Sequence, residues 1–259
     1  MTGEAEQDGP RLTLGQHTWA VAKELVFVIV GAVVVASLLR ALVGQMFLIP
    51  SASMQSTLLV KDRVVVEKIS SVKRGQVVVF SDPGGWLVGT PLQQRGRIGR
   101  ALEFVGVLPD TSTEHLVKRV VGMPGDHVVC CDARQRITVN DKPLDETGYL
   151  FVEPGGARVA PSDIPFDVVV PRKRVFVLGD NRADSRDSRC HLNDVRGGTV
   201  RGENAFVSED LIVGRAVAVV WPLSEAKRLP APLTLTAVPL ATSPAPTTPV
   251  IDAGPEADC

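Results

Sequence analysis

Apolar positions follow two different rules along this 259-residue chain. Near the N-terminus they are continuous: Leu25 to Leu39 reads LVFVIVGAVVVASLL, and after Arg40 the run resumes as far as Gly44. The unbroken part is shorter than the ~20 residues that cross a bilayer core. Counted from Trp19, with Lys23 and Arg40 snorkelling to the interfaces, the segment reaches about 25 residues and is long enough. No small-x-small cleavage site follows it directly, so the pattern predicts an uncleaved single-pass anchor over residues 19–45. The flanking cations, Arg11 and Lys23 against Arg40, leave its orientation open. Residues 1–18, polar and bearing Gly and Pro, read as a flexible tail.

Beyond residue 55 the period becomes that of strands. Residues 63–68 (RVVVEK) and 76–80 (QVVVF) are β-branched runs separated by Lys73-Arg74-Gly75, which reads as a hairpin-like break. Strands are further predicted over 116–121, 128–131, 137–139, 167–170, 175–178 and 211–221, with a hairpin turn at Asn140-Asp141. Residues 83–115 and 143–165 are loop-rich excursions, the first with a short helix around 97–107. There is no βαβ alternation. The fold class is mainly β: a single transmembrane helix, then a coiled antiparallel β-sheet domain over 46–225 with a loop-rich inserted subdomain. Residues 226–259 are broken by prolines and read as a disordered tail.

Composition narrows the function classes only a little. A net charge of −1 without a Lys/Arg run, and few aromatics, exclude a nucleic-acid surface. Cys130, Cys131, Cys190 and Cys259 form no zinc-type spacing, so neither metal nor cofactor is expected. In an exported domain Cys130 and Cys131 could bond to each other, or one of them to Cys190; in a cytosolic protein they would be buried small hydrophobes.

Three polar stretches interrupt this pattern, and each taken alone also has a purely structural reading: a proline-flanked turn, an exposed edge lysine that blocks aggregation, and a solvated surface loop. Ile49-Pro50-Ser51-Ala52-Ser53-Met54 follows the anchor, and Pro50 biases the chain toward an extended exit carrying Ser51 and Ser53. Lys118 lies inside an apolar strand, with Leu116 and Val120 on its face and Val117, Arg119 and Val121 on the other. Burial would depress its pKa and make the neutral amine a base for a serine hydroxyl. The stretch from Gly179 to Arg189, GDNRADSRDSR, follows a strand and is dense in side chains able to build a rigid polar support.

In identity, order and spacing these stretches resemble the bacterial type I signal peptidases over residues 20–221. PSASM resembles the family's nucleophile box, RGQVVVF a core strand, KRVVGMPGD the lysine box and GDNRADSRDSR the acidic box. The resemblance implies that Ser53 is the nucleophile and Lys118 the general base. Ser51 and the Ser53 backbone N–H would form the oxyanion hole, and Ser185 would orient the lysine. Asp187 and Arg189 would stiffen the site, with Gly179, Asp180 and Asn181 shaping the loop. Leu116, Val117, Ile49 and Pro50 would face an extended substrate. The implied partners are signal peptides of secretory preproteins and the lipid bilayer. The implied place is the cell membrane, with the catalytic domain outside the cytoplasm and cleavage after Ala-x-Ala.

Two positions depart from the family pattern. Ser56 stands where the family often has proline, and Arg186 where a small residue usually precedes the aspartate, so that Arg186 would either crowd the lysine or point outward. His191, four residues after Asp187, raises the alternative of an Asp/His arrangement. A membrane-anchored binding module is the alternative of another class, and it would tolerate loss of Ser53 or Lys118.

Overall fold

The computed structural model describes residues 14–42, 44–87, 96–97, 99, 115–195, 198–254 and 259. The apolar N-terminal run forms a single helix, α1 (Leu14–Leu42). It starts within the stretch expected as a flexible tail and ends before residue 45. Its described side chains, including Leu25, Val26, Phe27 and Val28, are largely exposed. Among the described residues, no helix is long and apolar enough to cross a membrane.

The strands are β1 (Gly44–Leu48), β2 (Arg63–Glu67), β3 (Val77–Ser81), β4 (His115–Gly122), β5 (His127–Cys130), β6 (Thr138–Val139) and β7 (Lys142–Pro143). They continue as β8 (Phe166–Val169), β9 (Arg174–Leu178), β10 (Val207–Ser208), β11 (Ile212–Trp221), β12 (Lys227–Arg228) and β13 (Val250–Ala253). All named pairs are antiparallel. One sheet runs β1-β2-β11-β3-β4-β9-β10 with β12 on β11; the other runs β13-β8-β5-β6-β7. The mainly β expectation therefore holds.

The break at Lys73-Arg74-Gly75 is not a hairpin. Strand β11 lies between β2 and β3 and pairs with both. Val77 to Phe80 on β3 are buried on both faces, Val77 and Val79 in one core and Val78 and Phe80 in another, which a continuous Val/Phe run suits. Asn140 and Asp141 do form the turn of the β6–β7 hairpin, both at positive φ as such two-residue turns require. The short helix expected around 97–107 falls almost wholly outside the described residues.

The joint between the sheets is the turn from β4 into β5. A Cβ on Gly122 would come within 2.9 Å of Val170 and Val128, so only glycine allows this approach. The core beneath the second sheet includes Val128, Ile137, Val168, Phe166 and Phe176.

Residues 226–254 are not a disordered tail. The segment contributes β12, a one-turn helix α2 (Leu233–Thr236) and β13, which pairs along β8. Leu235 and Val238 are buried in the core of the second sheet. Pro232 supplies the extended residue before α2, and the backbone carbonyl of Val238 accepts from the buried Arg74 guanidinium. The prolines prevent long regular structure, but they leave each short apolar cluster free to dock.

Candidate active site

The segment after β1 does not simply run out extended. Ile49 and Pro50 end the strand, and residues 52–58 then coil into successive turns, with Gln55 N–H donating to Ala52 O and Leu58 N–H to Met54 O. Met54 and Leu58 are driven into the first sheet's core and so fix the turn that presents Ser53. Ser56 sits at φ +90°, a conformation closed to proline, whose ring holds φ near −65°. The family's proline could not be accepted here without rebuilding the turn. Ile49 is buried, and its N–H and C=O already pair with Asp62 O and Lys61 N–H. Its backbone edge is thus already taken, and its side chain packs in the first sheet's core with Met54 and Leu58.

Lys118 lies in the interior of the sheet, opposite Val78 of β3, and is 3% exposed. The alternative of an exposed edge lysine is thereby removed. Its Nζ is 3.0 Å from Ser185 Oγ. Desolvation lowers its pKa to about 8; Asp187, Asp184 and Asp180 pull the other way, and Arg189 adds to the lowering. A substantial neutral fraction at physiological pH is therefore intrinsic to the placement.

Ser53, 8% exposed, stands beside Ser51, with the two hydroxyl oxygens 3.3 Å apart. Its carbonyl accepts from Asn181 N–H at 3.0 Å, which ties the serine turn to the polar loop. Gly179 is required at that junction. A Cβ there would fall 2.2 Å from Ser185 Oγ and 2.5 Å from Ser53 O. One missing methyl thus leaves room for both the lysine's hydroxyl partner and the serine backbone.

The supporting charges are buried and paired. Arg189 binds Asp187 through Nε and NH2 at 2.8 and 2.9 Å, and Gly179 N–H donates to the same carboxylate. Burial would raise the Asp187 pKa, but Arg189, then Lys118 and that N–H, bring it down to about 2. Asp187 therefore stays an anion facing the lysine. Ser188 Oγ accepts from Val177 N–H, so the 3-10 turn Ser188–His191 is pinned to β9. Arg186 is exposed and points outward.

Further buried positions support the loop without having been assigned a role from the sequence. Arg119, on the face of β4 opposite Lys118, grips Asp180 with two bonds of 2.7 and 2.6 Å, and Thr57 Oγ1 donates to the same carboxylate at 2.5 Å. Burial disfavours the Arg119 charge, but Asp180 more than offsets it and raises the pKa above the ordinary value. Breaking one side of such a buried pair typically costs about 3–5 kcal/mol. Arg182 donates to Gly179 O and to buried Glu146, which also accepts from Tyr149. The alternation of β4 hinted at Arg119. Nothing in the 143–165 loop pointed to Glu146, because its partner lies 36 residues away.

Leu116 and Val117 occupy the N-terminal half of β4. Pairing with β3 covers His115 to Arg119, whereas pairing with β9 begins only at Arg119. One edge of β4 just before Lys118 is thus without a strand partner among the described residues. His191 does not pair with Asp187. Its Nδ1 is 2.8 Å from Asp194 and its ring stacks on Trp86 at 4.6 Å, so the Asp/His arrangement is not formed. Among the described residues, no three His, Cys, Asp or Glu side chains group as a metal site. The cysteines pair as Cys130–Cys131 and Cys190–Cys259; the first was one of the expected alternatives, the second was not.

Comparison with known proteins gives a consistent result. The family model for "Signal peptidase, peptidase S26" matches residues 22–221. Signal peptidase I of Mycobacterium tuberculosis is 34% identical over 227 residues, covering 78% of this chain and 73% of that protein. A probable signal peptidase I of Mycobacterium leprae is 36% identical over 211 residues, covering 70% of each. A probable signal peptidase I-2 of Synechocystis is 30% identical over 212 residues, with 80% and 76% covered. The matched span includes the serine turn, the lysine strand and the polar loop, and the chain belongs to the signal peptidase family, peptidase S26, and is a peptidase.

Proposed function

We propose that the protein is a membrane-bound serine endopeptidase that removes N-terminal signal peptides from exported preproteins, with Ser53 as nucleophile and Lys118 as general base. The observation that carries this reading is a buried lysine of depressed pKa, bonded to Ser185 of the same polar loop whose Asn181 N–H binds the Ser53 carbonyl. Neutral Lys118 takes the Ser53 proton as Oγ attacks the scissile carbonyl. The Ser51 hydroxyl and the Ser53 N–H stabilise the oxyanion, a term worth about 10²–10³-fold per donor in comparable sites. The lysinium then protonates the leaving amine, and the regenerated amine activates water to release the acyl-enzyme. Ser185 orients the amine, while Asp187 and Arg189 keep that hydroxyl in place.

The edge of β4 at Leu116 and Val117 suits an extended peptide, which would add as a strand and align its scissile bond with Ser53. Cleavage after Ala-x-Ala follows if the flanking pockets admit only small side chains. Helix α1 serves as the anchor in this reading. Support comes from the uncharged run Leu25–Leu39 and from the described face of α1, which none of the three cores draws upon. Full-length protein should then stay with the membrane after alkaline carbonate extraction, and a chain lacking residues 1–43 should be released. Release of both forms alike would rule out the anchor.

The central test is cleavage of a secretory precursor by detergent-solubilised protein. Wild type should cut at the small-x-small site, and folded Ser53→Ala should cut at no more than the uncatalysed rate. A folded wild type that cuts nothing would instead favour a binding module.

A further inference from the structure

The chain's last described residue reaches the back of the polar loop. Cys259 is bonded to Cys190, which is 2% exposed and lies in the 3-10 turn Ser188–His191. Cys190 Sγ sits 3.7 Å from the carbonyl of Ser185, the residue that holds Lys118. Cys259 also lines, with Ser185, Arg182, Arg189 and Asp163, a cavity of about 300 Å3 directly behind that loop. The segment leading there is tied down almost to its end. Strand β13 pairs with β8, Ala253 O accepts from Arg201, and Gly254 O accepts from Asn193. The turn carrying Cys190 is therefore held from inside, by Ser188 and Asp187 on the β9 segment, and from outside, by the C-terminal segment.

We propose that the Cys190–Cys259 disulfide is a redox-opened strap that positions Ser185, and through it Lys118, so that the peptidase is fully competent only when the strap is closed. The proposal rests on the assignment of Lys118 as base. Cys259 is exposed and Cys190 is not, so opening begins at the outer sulfur. A thiolate of an external dithiol attacks Cys259 Sγ, the S–S bond breaks, and Cys190 leaves as a thiolate and takes a proton. The second thiol of the reductant resolves the mixed disulfide and frees the Cys259 thiol. The dithiol is oxidised to its own disulfide, and two electrons and two protons pass to Cys190 and Cys259. What then loosens is the outer restraint on the 3-10 turn that carries Cys190 and packs against Ser185, while the inner ion pair Asp187–Arg189 remains. The result is a partial loss of activity, because small displacements of a catalytic group are costly without unfolding the site.

The test uses the full-length chain in detergent, oxidised or treated with dithiothreitol, beside Cys259→Ser and, as control for the other bridge, Cys131→Ser. Two readouts are taken: precursor cleavage across pH, and hydrogen exchange of peptides spanning 179–191. Opening the strap should lower kcat/KM about 10-fold, an effect of the kind that small misplacement of a reacting group produces. The pH midpoint of kcat/KM should also move. Cys259→Ser should start at the reduced level and ignore the reductant, while Cys131→Ser should respond like wild type. Exchange at 179–191 should quicken on reduction even if no precursor is cut, which separates failure of the strap from failure of the peptidase reading. Unchanged cleavage and exchange confined to the C-terminal peptides would overturn the proposal.

Discussion

Lys118→Ala is expected to lower kcat/KM by about 10²–10⁴-fold, the range a positioned general base contributes, while leaving the protein folded. Removing this charge should not destabilise the site, since a buried amine of depressed pKa is itself a liability below that pKa. The wild-type pH profile supplies an independent check. With the folded-state pKa at about 8, the base-competent neutral form is the minor species at lower pH. The kcat/KM should therefore rise with a slope near one up to about pH 8 and flatten above it. The same shift has a sign for stability. Between about 8 and the ordinary value of 10.5, the unfolded chain binds a proton that the folded chain does not, so stability rises with pH across that window. Lys118→Met should flatten that rise, as followed by denaturant midpoints. A folded Lys118→Ala enzyme with near-normal activity would rule out the lysine as base.

The second large effect concerns the segment after β11. Leu235→Ala should destabilise the protein by about 2–5 kcal/mol, the cost of truncating a fully buried leucine in a packed core. Deleting residues 226–259 should cost more, because it also removes Val238, the partner strand of β8 and the acceptor for the Arg74 guanidinium. Urea unfolding of both variants measures this. A disordered tail would give no change in midpoint for either. Proteolysis offers a second view: wild type should resist cutting between 226 and 254, and Leu235→Ala should not.

The outcome for the tail illustrates how far local sequence carries. Its prolines correctly forbid a long helix or strand, and composition treats such a segment as unable to pack. Packing was instead decided by a few apolar positions meeting a core drawn from segments as far back as Val121, and no window of sequence contains both. The same holds for the hairpin expected at Lys73-Arg74-Gly75. The β-period located β2 and β3, but the insertion of β11 between them depends on a strand more than 130 residues away. Glu146, which steadies Arg182 in the polar loop, was silent for the same reason.

The sequence by itself determined the local features of this protein: the apolar helix, most strands and their alternation, the turn at Asn140-Asp141, and the grouping of Ser51, Ser53, Lys118, Ser185, Asp187 and Arg189 into recognisable boxes. These follow from short-range periodicity, from fixed backbone preferences and from side-chain chemistry spaced over a few residues. Only the tertiary structure decided that Lys118 is buried in mid-sheet and bonded to Ser185, that Arg119 grips Asp180 on the opposite face, and that Cys190 closes on Cys259. Each of these is a contact between distant segments, and its energy depends on what surrounds it once the chain has folded, a quantity no local pattern encodes.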